Sequence, residues 1–508
     1  MLKIQQIVGF QNLLVSLNNL NAGLYLVNGL VFGCPAANVL AAALGLYFRA
    51  YMIKKTKYLF LLLLSGLAGS QPAVGQTSAS ALSKAPAQYG KPFAGVPASQ
   101  NATIYQVNMR GFSKEGNFRG VLARLDSIKA LGVNVMYLMP IFPIGKLRAV
   151  DSPFAVQNYT AVNPEFGTLT DLRTLVDAAH ARGLAVILDW VGNHTSFDHP
   201  WITEHPDWYV HDASGNIANP IPDWKDIAQL NWGKPEVHAA MIEALRYWVL
   251  AANIDGYRFD YADGPSQKFF TAALANLRAI PGHKLLLLAE GDKKKYYLQD
   301  GFDLCYDFGF MNTLKGDIFA KGKSVKLIDS VNAANYRNAP VNARMVRYTS
   351  NHDINAWEGT PQQLFGGPRG AMATFVVAAY MKAVPMIYNG QEVGYAERVP
   401  FMGTRKPINW TPNPALTKEY KQLITFRNTS NAVRNGALTS YSTDDVCAFT
   451  KTAGKEQVLV LANLRNAPMR YQVPNKIDSA GWRYAFDGKP AALTNLTLQP
   501  YQYLILKK

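Results

Sequence analysis

The stretch Gly256-Tyr257-Arg258-Phe259-Asp260 limits what this chain can fold into more than any other. Ile254 precedes it, and the turn-prone triplet Asp263-Gly264-Pro265 follows. Residues two apart on a strand share a face, so Arg258 and Asp260 point the same way. Burying such charges is unfavourable unless they meet each other or do chemistry. One Arg–Asp pair alone reads as structural. Three further apolar runs also end in an acid: 184–189 on Asp189, 285–290 on Glu290, and 345–353 on Asp353. Packing alone does not explain four acid-tipped strands in one chain.

From Thr103 onward, strand-like and helix-like segments alternate. Strands are expected over 103–107, 133–138, 184–189, 254–260, 284–290, 301–308, 344–350 and 384–389. Helices are expected over 118–130, 169–181, 237–252 and 274–280. Eight such repeats imply an α/β fold, a parallel (β/α)8 TIM barrel with crossover helices, occupying 101–194 and 232–430. A Trp/Pro/Asp-rich, non-helical insertion at 195–231 follows the third strand and forms a small side domain over the barrel mouth. Past 431 the pattern changes to short strands at 446–450, 457–462, 469–473 and 501–506. Residues 431–508 therefore read as a C-terminal antiparallel β-sandwich.

Ahead of the barrel, Met52-Ile53-Lys54-Lys55-Thr56-Lys57 leads into an apolar run from Tyr58 to Leu64 and then the small residues Ala68, Gly69 and Ser70. This has the form of a signal peptide at 52–70 starting at Met52, and it is too short to span a bilayer. Residues 1–51 then read as an upstream extension and 71–100 as an Ala/Ser/Pro/Gly-rich linker. The mature protein is expected to be secreted or periplasmic, with no membrane segment. Net charge is +16, and no Asp or Glu occurs before Glu115. The basic residues form no dense stripe, and Lys293-Lys294-Lys295 reads as a solvated loop, so a nucleic-acid partner is not expected. Cys34, Cys305 and Cys447 have neither metal nor disulfide spacing, and Cys305 reads as a small buried hydrophobe.

Barrel enzymes carry their chemistry at the C-terminal ends of the strands. Glycoside hydrolysis needs two carboxylates, one ionised and one protonated. Arg258 beside Asp260 favours its ionised form. The apolar run Leu285-Leu286-Leu287-Leu288-Ala289 favours a protonated Glu290. Trp190, Trp201, Trp208, Trp224 and Trp232 crowd the insertion and its flanks. Most read as a small core, with one or two in a sugar groove.

These stretches resemble the motifs of the α-amylase superfamily, glycoside hydrolase family thirteen, in the family's order from about Thr103 to Lys508. The carriers are Asp189 with Asn193-His194, then Arg258 with Asp260, then Leu288-Ala289-Glu290, and finally Asn351-His352-Asp353. Asn163-Pro164-Glu165-Phe166-Gly167-Thr168 and the run from Pro385 to Glu392 add to the likeness. The resemblance implies Asp260 as nucleophile, Glu290 as general acid then base, and Asp353 as a binder of sugar hydroxyls that stabilises the distorted state. It further implies that Arg258 orients Asp260, that His194 and His352 contact sugar hydroxyls, and that Asp189 supports Arg258. Phe154 stands where the family usually has a stacking Tyr. Asp263-Gly264 replaces the usual Lys-His after the nucleophile, and Gln229 replaces an Asp. Asn193 alone matches a calcium ligand, so a structural calcium is in doubt, and none is needed for the chemistry. The implied activity is retaining hydrolysis of α-glucosidic, mainly α-1,4, bonds in starch-like substrates. An α-glucosidase, a cyclodextrin- or pullulan-acting enzyme or a glucan transferase on the same scaffold stays open. A non-catalytic carbohydrate-binding relative is disfavoured by the intact Asp260, Glu290 and Asp353.

Overall fold

The computed structural model describes residues 86–508, apart from 293, 341, 342, 404, 412 and 495, together with a short antiparallel pair, Tyr25–Val27 with Leu30–Phe32. The upstream extension, the signal peptide and much of the linker expected from the sequence lie outside these residues. The chain divides into Met1–Leu82 and Ser83–Lys508, and the barrel, the insertion and the C-terminal sheet all belong to the second unit.

Eight strands close the barrel: β1 Ile104–Val107, β2 Val135–Leu138, β3 Ala185–Val191, β4 Gly256–Asp260, β5 Leu286–Ala289, β6 Leu304–Tyr306, β7 Arg344–Tyr348 and β8 Ala383–Tyr388. All pair in parallel, and β8 returns to β1. Helices cover the outside, so the strands are buried on both faces and are largely apolar, interrupted by buried polar residues such as Gln106, Asp189, Arg258 and Arg347. Register places the chemistry: Asp189 on β3 pairs directly with Arg258 on β4. β4 and β5 approach closely at their start, where Gly256 has φ +144° and a Cβ would collide with the Leu286 carbonyl oxygen. Only glycine fits there.

The expected helix over 118–130 is two pieces, Phe118–Leu122 and Leu125–Ala130. Arg124 leaves helical geometry between them and lays its guanidinium 4.0 Å from the centre of the Trp410 ring. The helix Leu169–Ala181 starts at Thr168, whose side chain forms a capping box with Asp171. The insertion is framed by an antiparallel pair, His194–Ser196 with Ile227–Gln229. It is not wholly non-helical: Trp201–Glu204 makes one turn, too short to leave a periodic signal. Lys294 opens a helix, Lys294–Asp300, where the sequence suggested a loop. Asp353 does not tip a strand, because β7 ends at Tyr348 and Asp353 opens the turn before the π-helix Ile354–Glu358.

The C-terminal strands are β9 Ala437–Ser440, β10 Val446–Ala453, β11 Glu456–Asn463, β12 Met469–Tyr471, β13 Arg483–Tyr484, β14 Leu496–Leu498 and β15 Tyr503–Lys507. They form a five-stranded antiparallel sheet, β9-β10-β11-β15-β13, and a β12–β14 ribbon. Alternation along β10 divides its contacts. Cys447 and Phe449 join the barrel-side core, while Val446 and Ala448 pack with Leu459, Leu461, Tyr471 and Leu498 between sheet and ribbon. Cys305 and Cys447 are both buried. No described helix is long and apolar enough to cross a membrane.

Candidate active site

Parallel register brings the acid-bearing ends of β3, β4 and β5 to one end of the barrel. Arg258 is completely buried and lies at their centre. Its Nη1 donates to Asp189 Oδ1 at 2.6 Å and to Asp260 Oδ1 at 2.8 Å. Its Nη2 forms an ion pair with Glu290. The guanidinium lies near two tyrosine rings, Tyr306 on β6 at 5.6 Å and Tyr137 on β2 at 6.0 Å. The Tyr137 hydroxyl donates to Asp189 Oδ2. Asp189 is also fully buried. It and Arg258 are thus closed to solvent, with Arg258 donating to both Asp189 and Asp260.

Asp260 and Glu290 are each slightly open to solvent, with side chains 13% and 11% exposed. Glu290 sits just past β5, where its N–H donates to Phe259 O at 3.1 Å and its carbonyl accepts from Ala262 N at 2.7 Å. Its Oε2 accepts from the Tyr261 N–H at 3.0 Å. Burial pushes Glu290 up to about 7 against the pull of Arg258. Burial also raises Asp260 above the ordinary carboxyl range, while Arg258 and a hydrogen bond from Glu290 favour its charged form. Asp189 is likewise raised to about 7 by burial, with Arg258 and Tyr137 pulling it back.

Asp353 is the most open of the acids, its side chain 46% exposed. His352 Nε2 lies 3.3 Å from Asp353 Oδ2, and His352 Nδ1 lies 2.8 Å from Gln106 Nε2 on β1. Burial lowers His352 to about 3 and His194 to about 4, so both rings are neutral at pH 7. The Phe154 ring stacks on His352 at 5.2 Å and meets Phe401 edge-on at 5.7 Å. Phe154 thus braces His352. His194 is turned inward, its Nε2 donating to Phe154 O at 3.2 Å, and it is only 2% exposed. Tyr137, Tyr306, Gln106 and Phe401 escape a sequence reading because they sit in ordinary strand or loop stretches. Only the closed barrel brings them to the carboxylates.

Asn193 tests the calcium expectation. Its Oδ1 accepts from Gln229 Nε2 at 3.2 Å, and its Nδ2 donates to Gln229 Oε1 at 3.3 Å. Gln229 Nε2 also lies 3.3 Å from Asn193 O and 3.0 Å from Leu230 O. Gly264 packs on the Asn193 amide oxygen so closely that a Cβ there would collide with it. The oxygens a cation would need are taken by amide N–H groups, and no cluster of three His, Cys, Asp or Glu occurs among the described residues. A hard divalent cation wants six or more oxygens, several of them charged. These residues do not fit one.

The model of the α-amylase catalytic domain matches residues 94–226 and 207–424. The chain belongs to the α-amylase family. It is therefore a glycoside hydrolase. Alpha-amylase 2 of Dictyoglomus thermophilum is 26% identical over 410 residues, 72% of this chain and 70% of that protein. The cyclomaltodextrinase of Geobacillus thermopakistaniensis is 26% identical over 396 residues, 72% of this chain and 65% of that protein. The crystal structure of an α-amylase from Lactobacillus plantarum superposes with a TM-score of 0.73 at 28% identity, covering 80% of this chain and 99% of that one. In this chain three carboxylates meet one buried guanidinium, and a separate amide pair joins Asn193 to Gln229.

Proposed function

We propose that this protein is a retaining hydrolase of α-glucosidic, mainly α-1,4, bonds in starch-like or maltooligosaccharide substrates. One observation carries the reading: a single guanidinium, Arg258, holds Asp260 and Glu290 side by side. An inverting enzyme needs carboxyls roughly 6.5–9.5 Å apart, with a water between them, whereas a retaining one needs them about 5 Å apart. Two carboxyls on neighbouring nitrogens of one guanidinium leave no room for that water.

In the first step Asp260 attacks the anomeric carbon as Glu290 gives its proton to the departing glycosidic oxygen. A glycosyl ester of Asp260 results, and Glu290 becomes a carboxylate. In the second step Glu290 takes a proton from water, whose oxygen displaces Asp260. Arg258 spreads the negative charge over the pair in both states. Asp353, open to solvent and held beside His352, is placed to accept hydrogen bonds from ring hydroxyls. The names of the relatives, α-amylase and cyclomaltodextrinase, support an α-glucan substrate. The signal-like segment at 52–70 supports export, and the N-terminal residue of exported protein tests it. A slowly turned-over fluorinated α-glycosyl fluoride tests the mechanism itself. Peptide mapping is expected to find one glycosyl group on Asp260, and an adduct elsewhere, or none, would defeat the assignment.

A further inference from the structure

Two large aromatic side chains stand exposed beside the acid. Trp224 is 38% and Tyr261 36% exposed, whereas Trp190, Trp248 and Trp482 are buried. Trp201, Trp208 and Trp232 pack against the main core, so Trp224 stands apart from the tryptophans that stabilise the insertion and barrel. Tyr261 directly follows Asp260 and has φ +40°, an uncommon conformation for an aromatic residue. Backbone strain of this kind persists where the surroundings enforce it, often at functional sites. Here the strained residue is the one whose N–H holds Glu290 Oε2.

Trp224 reaches the same place from the insertion. Asn219 Nδ2 donates to both Trp224 O and Ile227 O at 2.8 Å, which pins the loop to the framing strand. The Trp224 and Tyr261 rings meet edge to face at 5.9 Å and 77°. Trp224 also lies 6.2 Å from the His194 ring. The result is an open aromatic corner joined to Glu290 through one peptide group. The other exposed tryptophan, Trp357, lies 5.9 Å from Phe401, which in turn meets Phe154 and His352.

Side follows from chemistry. Glu290 protonates the oxygen that leaves, so groups attached to Glu290 line the leaving-group side. We propose that Trp224 and Tyr261 form the platform for the glucosyl unit that departs, and for a sugar that enters in its place. The apolar faces of glucose stack on such rings. This rests on the Asp260–Glu290 assignment and adds to it the residues that set the choice of leaving group and of acceptor.

The test compares maltopentaose with α-maltosyl fluoride, whose leaving group is a lone fluoride that needs neither a platform nor a proton. In Trp224→Ala, kcat/KM for maltopentaose is expected to fall about tenfold and for the fluoride less than about threefold. Trp224→Phe keeps a ring and is expected to recover most of the loss. Transfer of maltosyl groups to added maltose falls in parallel with maltopentaose cleavage. Equal losses on both substrates, or no loss on either, overturn the proposal. If Trp224→Ala does not fold, Trp224→Leu keeps an apolar side chain without the ring, and the same split is expected. Failure of the hydrolase assignment itself would look different: the unmodified enzyme would turn over neither compound.

Discussion

Replacing Arg258 with Met removes the one cation that Asp189, Asp260 and Glu290 share. At a charge separation of about 4 Å and an effective dielectric near 20, one such pairing is worth about 4 kcal/mol. At about 1.4 kcal/mol per factor of ten, that is close to a thousandfold in an equilibrium. Burial already pushes both Asp260 and Glu290 upward, so losing Arg258 removes the largest influence that opposes it. The nucleophile becomes protonated at neutral pH, and kcat/KM on a maltooligosaccharide is expected to fall about a thousandfold at pH 7. The pH profile also changes direction. In the wild type, Glu290 must keep its proton, so activity declines as pH rises through about 7. In Arg258→Met, Asp260 must lose its proton, so the residual rate climbs close to tenfold per pH unit over the same range. Circular dichroism shows whether the variant is folded, and Arg258→Lys, a single point charge, is expected to recover only part of the activity. An Arg258→Met enzyme with more than a tenth of wild-type activity and a decline still near pH 7 would refute the idea that this guanidinium keeps Asp260 charged.

Glu290→Gln removes the proton donor: cleavage of maltooligosaccharides is expected to drop by about 10²–10⁴-fold and the decline above pH 7 to vanish, read from kcat against pH. A chelator is expected to leave the melting temperature within about a degree, because Asn193 is held by Gln229 instead of a cation. Gln229→Ala strands the buried Asn193 amide, for a loss of about 1–3 kcal/mol seen as a fall of several degrees in calorimetry. A large chelator-induced drop in the unmodified protein would contradict both statements. Gly256→Ala drives a Cβ into the β5 backbone and is expected to give little soluble folded protein. Near-normal yield and melting would show that β4 and β5 can separate.

The barrel was legible because its strands are buried on both faces and so are mostly apolar. The run 285–289 and the turn after Asp260 bracket β4 and β5 within two residues. The Arg258–Asp189 contact was within reach too, since both residues lie at matching levels of parallel strands. What stayed hidden depends on closure. Tyr137 and Tyr306 look like core residues along the chain and become neighbours of Arg258 only when β2 and β6 curve round it. Asp353 read as the end of a strand because 345–353 begins apolar, yet its place is set by Asn351, whose Oδ1 accepts the Ile354 N–H at 2.8 Å and turns the chain. Trp224 carried no mark to separate it from the core tryptophans, because its exposure depends on the fold of the insertion. The Asn193–Gln229 amide pair was half visible, as the loss of an acid at Gln229, but its reciprocal bonding was not.

The anomeric form of the first product tests the central claim most directly. Proton NMR of maltopentaose digested by the wild-type enzyme, recorded before mutarotation, reports whether the new reducing end is α or β. Side-by-side carboxyls on Arg258 require two displacements at the anomeric carbon, so the α-anomer must appear first. Initial release of the β-anomer would mean a single displacement by water and would contradict Asp260 as nucleophile.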